Sequence, residues 1–168
     1  CLVGSEMCIR DRLVSLSFVE KSMKSVLQKT VDMIPHESEY YTVVKYAFEL
    51  CKTEKEWEEA WKKVEEKYKE YNWIHAYPNV AAEIIALWYG NDEFEKTCHI
   101  IAMEGQDVDC TAAPVLNALL CMIGLETVGE HWIKPIGKNI ATLMRRMRNL
   151  TIDELCEKTV NAVRKATA

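Results

Sequence analysis

Two aspartates separated by a single residue are the clearest chemistry-bearing feature of this 168-residue sequence. Asp107 and Asp109 follow Gly105 and precede a run of small and apolar residues, Thr111 to Ile123, whose pattern predicts a buried helix. Both acids are therefore expected at a helix N-terminus, where unpaired backbone N–H groups and the helix dipole stabilise negative charge. Ionised oxygens suit hard cations, so the segment indicates a site for Mg²⁺ or Mn²⁺.

A structural role is the simpler alternative for the same acids. Aspartate before a helix is one of the commonest N-caps, and Asp-x-Asp by itself favours that interpretation. An EF-hand is excluded, because the loop lacks the glycine at its sixth position and the glutamate at its twelfth. The choice between a cap and a metal site depends on the longer sequence context.

Three short motifs in a fixed order surround the acids. They are His75-Ala76-Tyr77-Pro78-Asn79, Asp92-Glu93-Phe94-Glu95 and Gly105-Gln106-Asp107-Val108-Asp109. In this order and spacing the stretch from Tyr71 to Val163 resembles the C-terminal part of the ADP-ribosylglycohydrolase family. The resemblance implies an all-α, compact multi-helix bundle. It also implies hydrolysis of N- or O-glycosidic bonds of ADP-ribose at a site that holds two Mg²⁺ ions, with Mn²⁺ as the alternative metal.

The resemblance assigns Asp107 and Asp109 as metal ligands. In the family the next ligand is commonly a threonine directly after the second aspartate. Cys110 stands at that position here, and Thr111 follows one residue later. Cys110 and Thr111 are therefore the candidates for the third ligand. A thiolate is a soft ligand that suits magnesium poorly, so either Thr111 substitutes for Cys110 or one metal bond is missing.

The expected substrate contacts also follow from the resemblance. His75, Asn79 and Gly105 are the residues expected to bind an ADP-ribose-containing substrate, since the first motif lies near the active-site cleft in the family. His75 has a second interpretation, in which it only holds its loop by a hydrogen bond. Tyr77 either stacks on adenine or packs. The group to which ADP-ribose is attached, in a modified protein or a small molecule, is not determined by the sequence.

The family's N-terminal motifs, a Gly-Asp-Ala-x-Gly-like turn and a Thr-Asp-Asp-like cluster, do not occur in this sequence. They carry the other metal ligands and the acidic general base. Residues 1–12 are similar to the translation of a sequencing adapter, a contaminant at the ends of assembled metagenomic genes. We therefore interpret residues 13–168 as the C-terminal part of a single domain whose N-terminal part is missing, and expect this fragment to be inactive by itself.

A non-catalytic helical module of the same fold is the alternative to an enzyme. Lens crystallins of this family serve as the precedent for a ligand-binding or structural role. Cys110 at a ligand position is the feature that favours this alternative. The two hypotheses differ in whether the parent protein retains its N-terminal aspartate motifs.

Composition limits the other functional classes. A net charge of -5, with lysines interleaved among glutamates, argues against a nucleic-acid or anionic-membrane partner. The 49% hydrophobic content is typical of a globular protein.

Seven cysteines without a Cys-x-x-Cys pair indicate free thiols in a reducing cytoplasm. No apolar run reaches the roughly 18 residues that span a bilayer, and the oligomeric state is left open.

Apolar periodicity predicts the helices that must position these motifs, and no strand. The predicted helices are Leu13–Ile34, Glu39–Cys51, Glu54–Tyr71, Val80–Tyr89, Glu93–Met103, Thr111–Ile123 and a last helix from Thr151 to about Arg164. The expected N-caps are Ser38, Asp92 and two capping boxes, Thr53 with Glu56 and Thr151 with Glu154. The last helix is expected to bury an apolar face of Ile152, Leu155, Val160 and Val163.

Overall fold

The computed structural model describes the backbone of residues 6–167 and the side chains of residues 10–167. The adapter-like segment, residues 1–12, lies partly outside this range, and its described part forms the start of the first helix. Its origin stays a prediction. The chain divides into two compact units, residues 1–127 and residues 128–168.

The first unit is helical throughout its described part. Its elements are α1 (Glu6–Ser17), α2 (Met23–Asp32), α3 (Glu39–Thr53), α4 (Trp57–Tyr68), α5 (Ala76–Gly90), α6 (Phe94–Glu104), α7 (Val108–Ile123) and a short 3₁₀ helix (Leu125–Thr127). Helix α5 is central, since it packs against α2, α3, α4, α6 and α7. Every residue from Pro78 to Leu87 is buried, as expected for a helix that is apolar on nearly all sides.

The second unit combines short elements with one longer helix. Its elements are α8 (Glu130–Ile133), β1 (Asn139–Ala141), β2 (Asn149–Thr151) and α9 (Ile152–Ala166). The two strands pair antiparallel with Ile140 opposite Leu150. This hairpin was not predicted, because three-residue strands are too short to show a period of two. The predicted all-α class is nevertheless confirmed, and no helix among the described residues is long and apolar enough to cross a membrane.

Two of the predicted helix caps are confirmed by their hydrogen bonds. The Ser38 hydroxyl accepts the backbone N–H of Tyr41 at 3.1 Å and begins α3. Thr151 and Glu154 form the expected capping box of α9, in which each side chain accepts the backbone N–H of the other residue. Such caps depend on residues three apart, so the local sequence is enough to predict them.

The predicted capping box at Thr53 and Glu56 is wrong. Thr53 is the last residue of α3, where its hydroxyl donates to the carbonyls of Glu49 and Leu50 at 3.2 and 3.3 Å. Helix α4 then begins after Glu56, which makes no side-chain cap. A threonine can bond either backwards or forwards along the chain, and here the preceding helix takes the hydroxyl.

The predicted helix Leu13–Ile34 is two helices, because the chain turns between α1 and α2. The Ser22 side chain caps α2. The carboxylate of Asp92 accepts the backbone N–H of Met23 at 2.9 Å, although Asp92 was expected to cap α6. Glu93 stands at the N-cap position of α6 instead and makes no side-chain cap. Asp92 therefore bonds to the start of α2, 69 residues away in the sequence, rather than to the start of α6.

The predicted core face of α9 is also wrong. Ile152, Leu155, Val160 and Val163 are between 37% and 56% exposed. No residue of α9 that the structure describes is buried. Amphipathic periodicity predicts that one face of a helix is apolar, but it does not identify what covers that face.

Candidate metal centre

Asp107 and Asp109 lie at the junction between α6 and α7. Gly105 ends α6 with a φ of 75°, a left-handed conformation that glycine adopts without steric cost. Asp107 is then the N-cap residue of α7, and Asp109 lies in the first turn. The predicted placement at a helix N-terminus is confirmed, although α7 begins at Val108 rather than at Thr111. The Asp107 side chain makes no cap hydrogen bond.

The structure brings three potential metal ligands together at this terminus. One ligand atom from each of Asp107, Asp109 and Cys110 lies within 4.8 Å of the other two. Asp109 and Cys110 are exposed and Asp107 is half-buried, so the cluster is open to solvent. The alternative third ligand, Thr111, is fully buried, and its hydroxyl donates to the carbonyl of Val108 at 3.4 Å.

The acids determine the protonation of the neighbouring thiol. A hydrogen bond with the Asp107 carboxylate raises the pKa of Cys110 above its ordinary value, and burial and the charge of Asp109 act in the same direction. Arg10 of α1 opposes this effect, and its guanidinium donates to the carbonyl of Cys110 at 3.2 Å. Because the net effect is a raised pKa, the thiol is protonated at neutral pH.

Asn79 of α5 bonds to the turn of residues 105–109, which carries Asp107 and Asp109 and is called the acid turn below. Its Oδ1 accepts the backbone N–H of Asp107 at 3.1 Å. Its Nδ2 donates to the carbonyls of Trp73 and His75, each at 2.8 Å. The residue is 5% exposed, so these bonds are shielded from water. Asn79 therefore holds the loop before α5 and the acid turn in one arrangement, while its expected contact with substrate stays a prediction, as does that of Gly105.

His75 holds the start of α5. Its Nδ1 accepts the backbone N–H of Tyr77 at 3.2 Å, so the imidazole is the N-cap of this helix. The ring contacts the rings of Tyr71 and Tyr77, with centroid distances of 4.2 and 4.7 Å. The loop-holding interpretation of His75 therefore describes its contacts, and substrate binding by His75 stays a prediction.

Tyr77 packs in the same aromatic group. Its ring contacts those of Tyr40 and Tyr71 edge to face, at centroid distances of 6.4 and 5.2 Å. Its hydroxyl donates to Glu39 at 2.9 Å, and this bond raises the pKa of Tyr77. Of the two roles expected for Tyr77, these contacts correspond to packing.

Glu104, a buried acid three residues before Asp107, was not among the predicted site residues. Glu104 is 3% exposed, and neither carboxylate oxygen has a hydrogen-bond partner among the described residues. Burial raises the pKa of Glu104 well above 4.5, so the carboxyl is neutral over a wide range of pH. Helical periodicity could have found it, because Glu104 continues the buried stripe of Thr97, Ile100 and Ile101.

Comparison with known protein families agrees with the motifs and the helical fold. The family model described as ADP-ribosylglycohydrolase matches residues 7–167. The chain therefore belongs to the ADP-ribosylglycohydrolase family, which makes it a relative of hydrolases that act on ADP-ribose-containing substrates. The match begins within the adapter-like segment, so it does not decide the origin of residues 1–12. No curated protein and no solved structure gives a significant match.

Proposed function

We propose that this chain supplies the C-terminal metal ligands of a metal-dependent hydrolase that cleaves the glycosidic bond of ADP-ribose. The observation that carries the proposal is the convergence of Asp107, Asp109 and Cys110 at the start of α7, in a chain that belongs to this family. The ADP-ribose-containing substrate follows from the family, and the metal follows from the donor atoms.

The carboxylate oxygens of the cluster fit a hard divalent cation, whereas the sulfur of Cys110 does not. Two carboxylates at a solvent-accessible helix N-terminus suit Mg²⁺ and Mn²⁺, which prefer oxygen ligands. The thiol of Cys110 does not suit Mg²⁺, and the hydroxyl of Thr111 is engaged with the backbone inside the protein. Asp107 and Asp109 are therefore the proposed ligands, and Cys110 completes the set for a softer cation.

Other residues of this chain hold the proposed ligands Asp107 and Asp109 in position. Asn79 bonds both to the backbone of Asp107 and to the loop before α5, which restricts the position of the first carboxylate. Asp109 is held by the first turn of α7. A cation bound there would supply Lewis-acid stabilisation of charge that develops as the glycosidic bond breaks. The general base is expected from the family's N-terminal motifs.

Calorimetric titration of the full chain with Mg²⁺ and with Mn²⁺ tests the metal site. We expect binding by the native chain and none by the double variant Asp107→Ala, Asp109→Ala. The matched control is Glu58→Ala, Glu59→Ala, which removes two exposed carboxylates from the first turn of α4 and should leave binding intact. Equal binding by the native chain and the Asp107, Asp109 variant would reduce these acids to structural residues of the turn.

A non-catalytic ligand-binding or structural module is the second candidate. The specific observation that favours it is the thiol of Cys110, which lies among the oxygen donors of the acids. The two candidates differ in their response to chelation. A hydrolase site should lose ADP-ribose affinity when EDTA removes the cation, whereas a metal-independent binding module should retain that affinity, as measured by calorimetry with and without EDTA.

A further inference from the structure

A small cavity of about 20 Å³ lies among buried residues in the helical core of the first unit. Helices α1, α2, α3 and α5 all contribute to its wall, and every lining residue is 5% exposed or less. The wall is aliphatic, with residues such as Leu13, Val44 and Leu87, except at two positions. These are Thr30 of α2 and Glu83 of α5. Two polar side chains in an otherwise apolar wall indicate that the cavity binds a polar molecule.

The hydroxyl of Thr30 is buried without a hydrogen-bond partner among the described residues. Thr30 is 3% exposed, so bulk water does not bond to it. The other buried serine and threonine side chains in the described part of the chain each donate to a backbone carbonyl three or four residues earlier. They are Ser17, Thr97 and Thr111. An unbonded hydroxyl in an apolar interior costs free energy, so a partner for Thr30 is expected inside the cavity that it borders.

Glu83 supplies a hydrogen-bond acceptor to the same cavity from a different helix. Its side chain is 6% exposed, and one carboxylate oxygen lies 3.7 Å from the guanidinium of Arg10. A carboxylate has roughly four lone-pair sites, so Glu83 can accept a further hydrogen bond while it is paired with Arg10. The cavity therefore lies between a hydroxyl that lacks a partner and a carboxylate that can accept one more.

We propose that one water molecule occupies this cavity and bridges the hydroxyl of Thr30 to the carboxylate of Glu83. In this arrangement Thr30 Oγ1 donates to the water oxygen, and the water donates to Glu83. A bridging water is nearly as favourable as a direct hydrogen bond, so both polar groups are satisfied inside the apolar wall. The bridge joins α2 to α5. Arg10, which also donates to the carbonyl of Cys110 at 3.2 Å, continues these polar contacts to the start of α7.

The size and the chemistry of the cavity both select water. One water molecule needs roughly 10–15 Å³, whereas a ligand of the size of benzene needs on the order of 150 Å³. A wholly apolar cavity stays dry, but two polar groups provide the number of partners that an internal water requires. A metal cation suits the site poorly. Glu83 is the single carboxylate among the lining residues described, and Arg10 already balances its charge.

A crystal structure of the full chain, at a resolution that shows ordered water, tests the occupant. We expect one density peak within hydrogen-bond distance of Thr30 Oγ1 and of the Glu83 carboxylate, and we expect Thr30→Val to lose it. The control is Thr42→Val, which changes an exposed residue of α3 and should retain the peak. A cavity without a peak, or a Thr30 hydroxyl that donates to the carbonyl of Val26 instead, would overturn the proposal.

Urea unfolding of the same variants is an independent test, because an occupied and a dry cavity predict opposite signs. Valine has nearly the shape of threonine but lacks the hydroxyl. If Thr30 bonds to the water, Thr30→Val removes that bond and leaves the water with too few partners, so the urea midpoint falls. If the hydroxyl has no partner, the same change removes an unsatisfied polar group and the midpoint rises.

We expect Thr30→Val to have a lower urea midpoint than the native chain and Thr42→Val to have the same midpoint. Circular dichroism of the folded variants checks that their helical content is unchanged. A midpoint for Thr30→Val that equals or exceeds that of the native chain would contradict the water bridge.

Discussion

The carboxyl of Glu104 is the least expected side chain near the acid turn. It is buried without a hydrogen-bond partner among the described residues, and its charged form would be strongly unfavourable there. Burial also raises the pKa of the Cys51 thiol, where a charge on Glu104 would act in the same direction. A neutral Glu104 avoids the cost of a buried charge, so the folded protein retains a proton that the unfolded chain releases.

This retained proton makes stability depend on pH. Above 4.5, the ordinary pKa of glutamate, the unfolded chain loses the proton while the folded protein keeps it. The free energy of unfolding therefore falls as pH rises, by about 1.4 kcal/mol per pH unit, until the raised folded-state pKa is reached. We predict that Glu104→Gln is more stable than the native chain at neutral pH, and that the difference disappears near pH 4.

Urea unfolding between pH 4 and pH 9 measures this difference. The exposed residue Glu65 supplies the control, because Glu65→Gln changes a carboxylate that is solvated in both states. Parallel pH profiles for the native chain and Glu104→Gln would show that Glu104 is ionised in the folded protein. The neutral carboxyl would be supported if the free energies of unfolding of Glu104→Gln and the native chain differ at neutral pH and converge at low pH. The Glu65→Gln control should show no such pH-dependent difference.

Cys110 should determine which cation the cluster prefers. Replacing its thiol by the hydroxyl of serine exchanges a soft donor for a hard one at the same position. We predict that Cys110→Ser binds Mg²⁺ more tightly and Cd²⁺ more weakly, each by on the order of tenfold, or about 1.4 kcal/mol. Calorimetry gives both affinities, and the ultraviolet band of a cadmium thiolate should be weaker in Cys110→Ser than in the native chain, whose other cysteines contribute equally to both. Unchanged affinities for both cations would place the thiol outside the ligand set.

At the scale of elements, Asn79 joins the start of α5 to the start of α7. Removing its side chain removes its hydrogen bonds to the N–H of Asp107 and to the carbonyls of Trp73 and His75. We predict that Asn79→Ala lowers the free energy of unfolding by about 1–3 kcal/mol. It should also weaken Mg²⁺ binding by about tenfold or more, because supporting residues orient the ligands.

Parallel unfolding and metal titrations separate the two effects of Asn79→Ala. The control is Asn72→Ala, which removes an exposed amide that accepts only the N–H of Ile74 in its own loop. This control should leave the metal affinity unchanged. Loss of stability with native Mg²⁺ affinity in Asn79→Ala would show that the amide supports the fold but does not position Asp107.

At the scale of the whole molecule, we predict that residues 13–168 have little or no hydrolase activity. The sequence contains neither the Gly-Asp-Ala-x-Gly-like turn nor the Thr-Asp-Asp-like cluster that should supply the base and the other ligands. Catalytic groups act as a unit, so a partial set loses most of the rate enhancement. Release of ADP-ribose from ADP-ribosylated arginine and serine peptides with Mg²⁺ is the measurement, with the 168-residue chain assayed beside it. Metal-dependent turnover by residues 13–168 would contradict the prediction.

The sequence by itself determined the family, the all-α class and the placement of Asp107 and Asp109 at a helix N-terminus. The ordered motifs around Gly105 define a helix end and a helix start, and both depend on residues within a few positions of each other. The capping box of Thr151 and Glu154 was predicted correctly for the same reason. Local hydrogen bonds and backbone preferences are encoded locally, so they can be inferred without the fold.

Only the tertiary structure decided the contacts between distant residues. Asp92 serves α2 through a bond across 69 residues, and Asn79 reaches Asp107 across 28. Glu104 is buried because neighbouring helices cover its face of α6, whereas the apolar face of α9 is exposed. The sequence pattern assigned a buried face to α9, which is exposed, and the burial of an acid on the apolar stripe of α6 was not predicted. Burial depends on what packs against a helix, and periodicity within one helix does not contain that information.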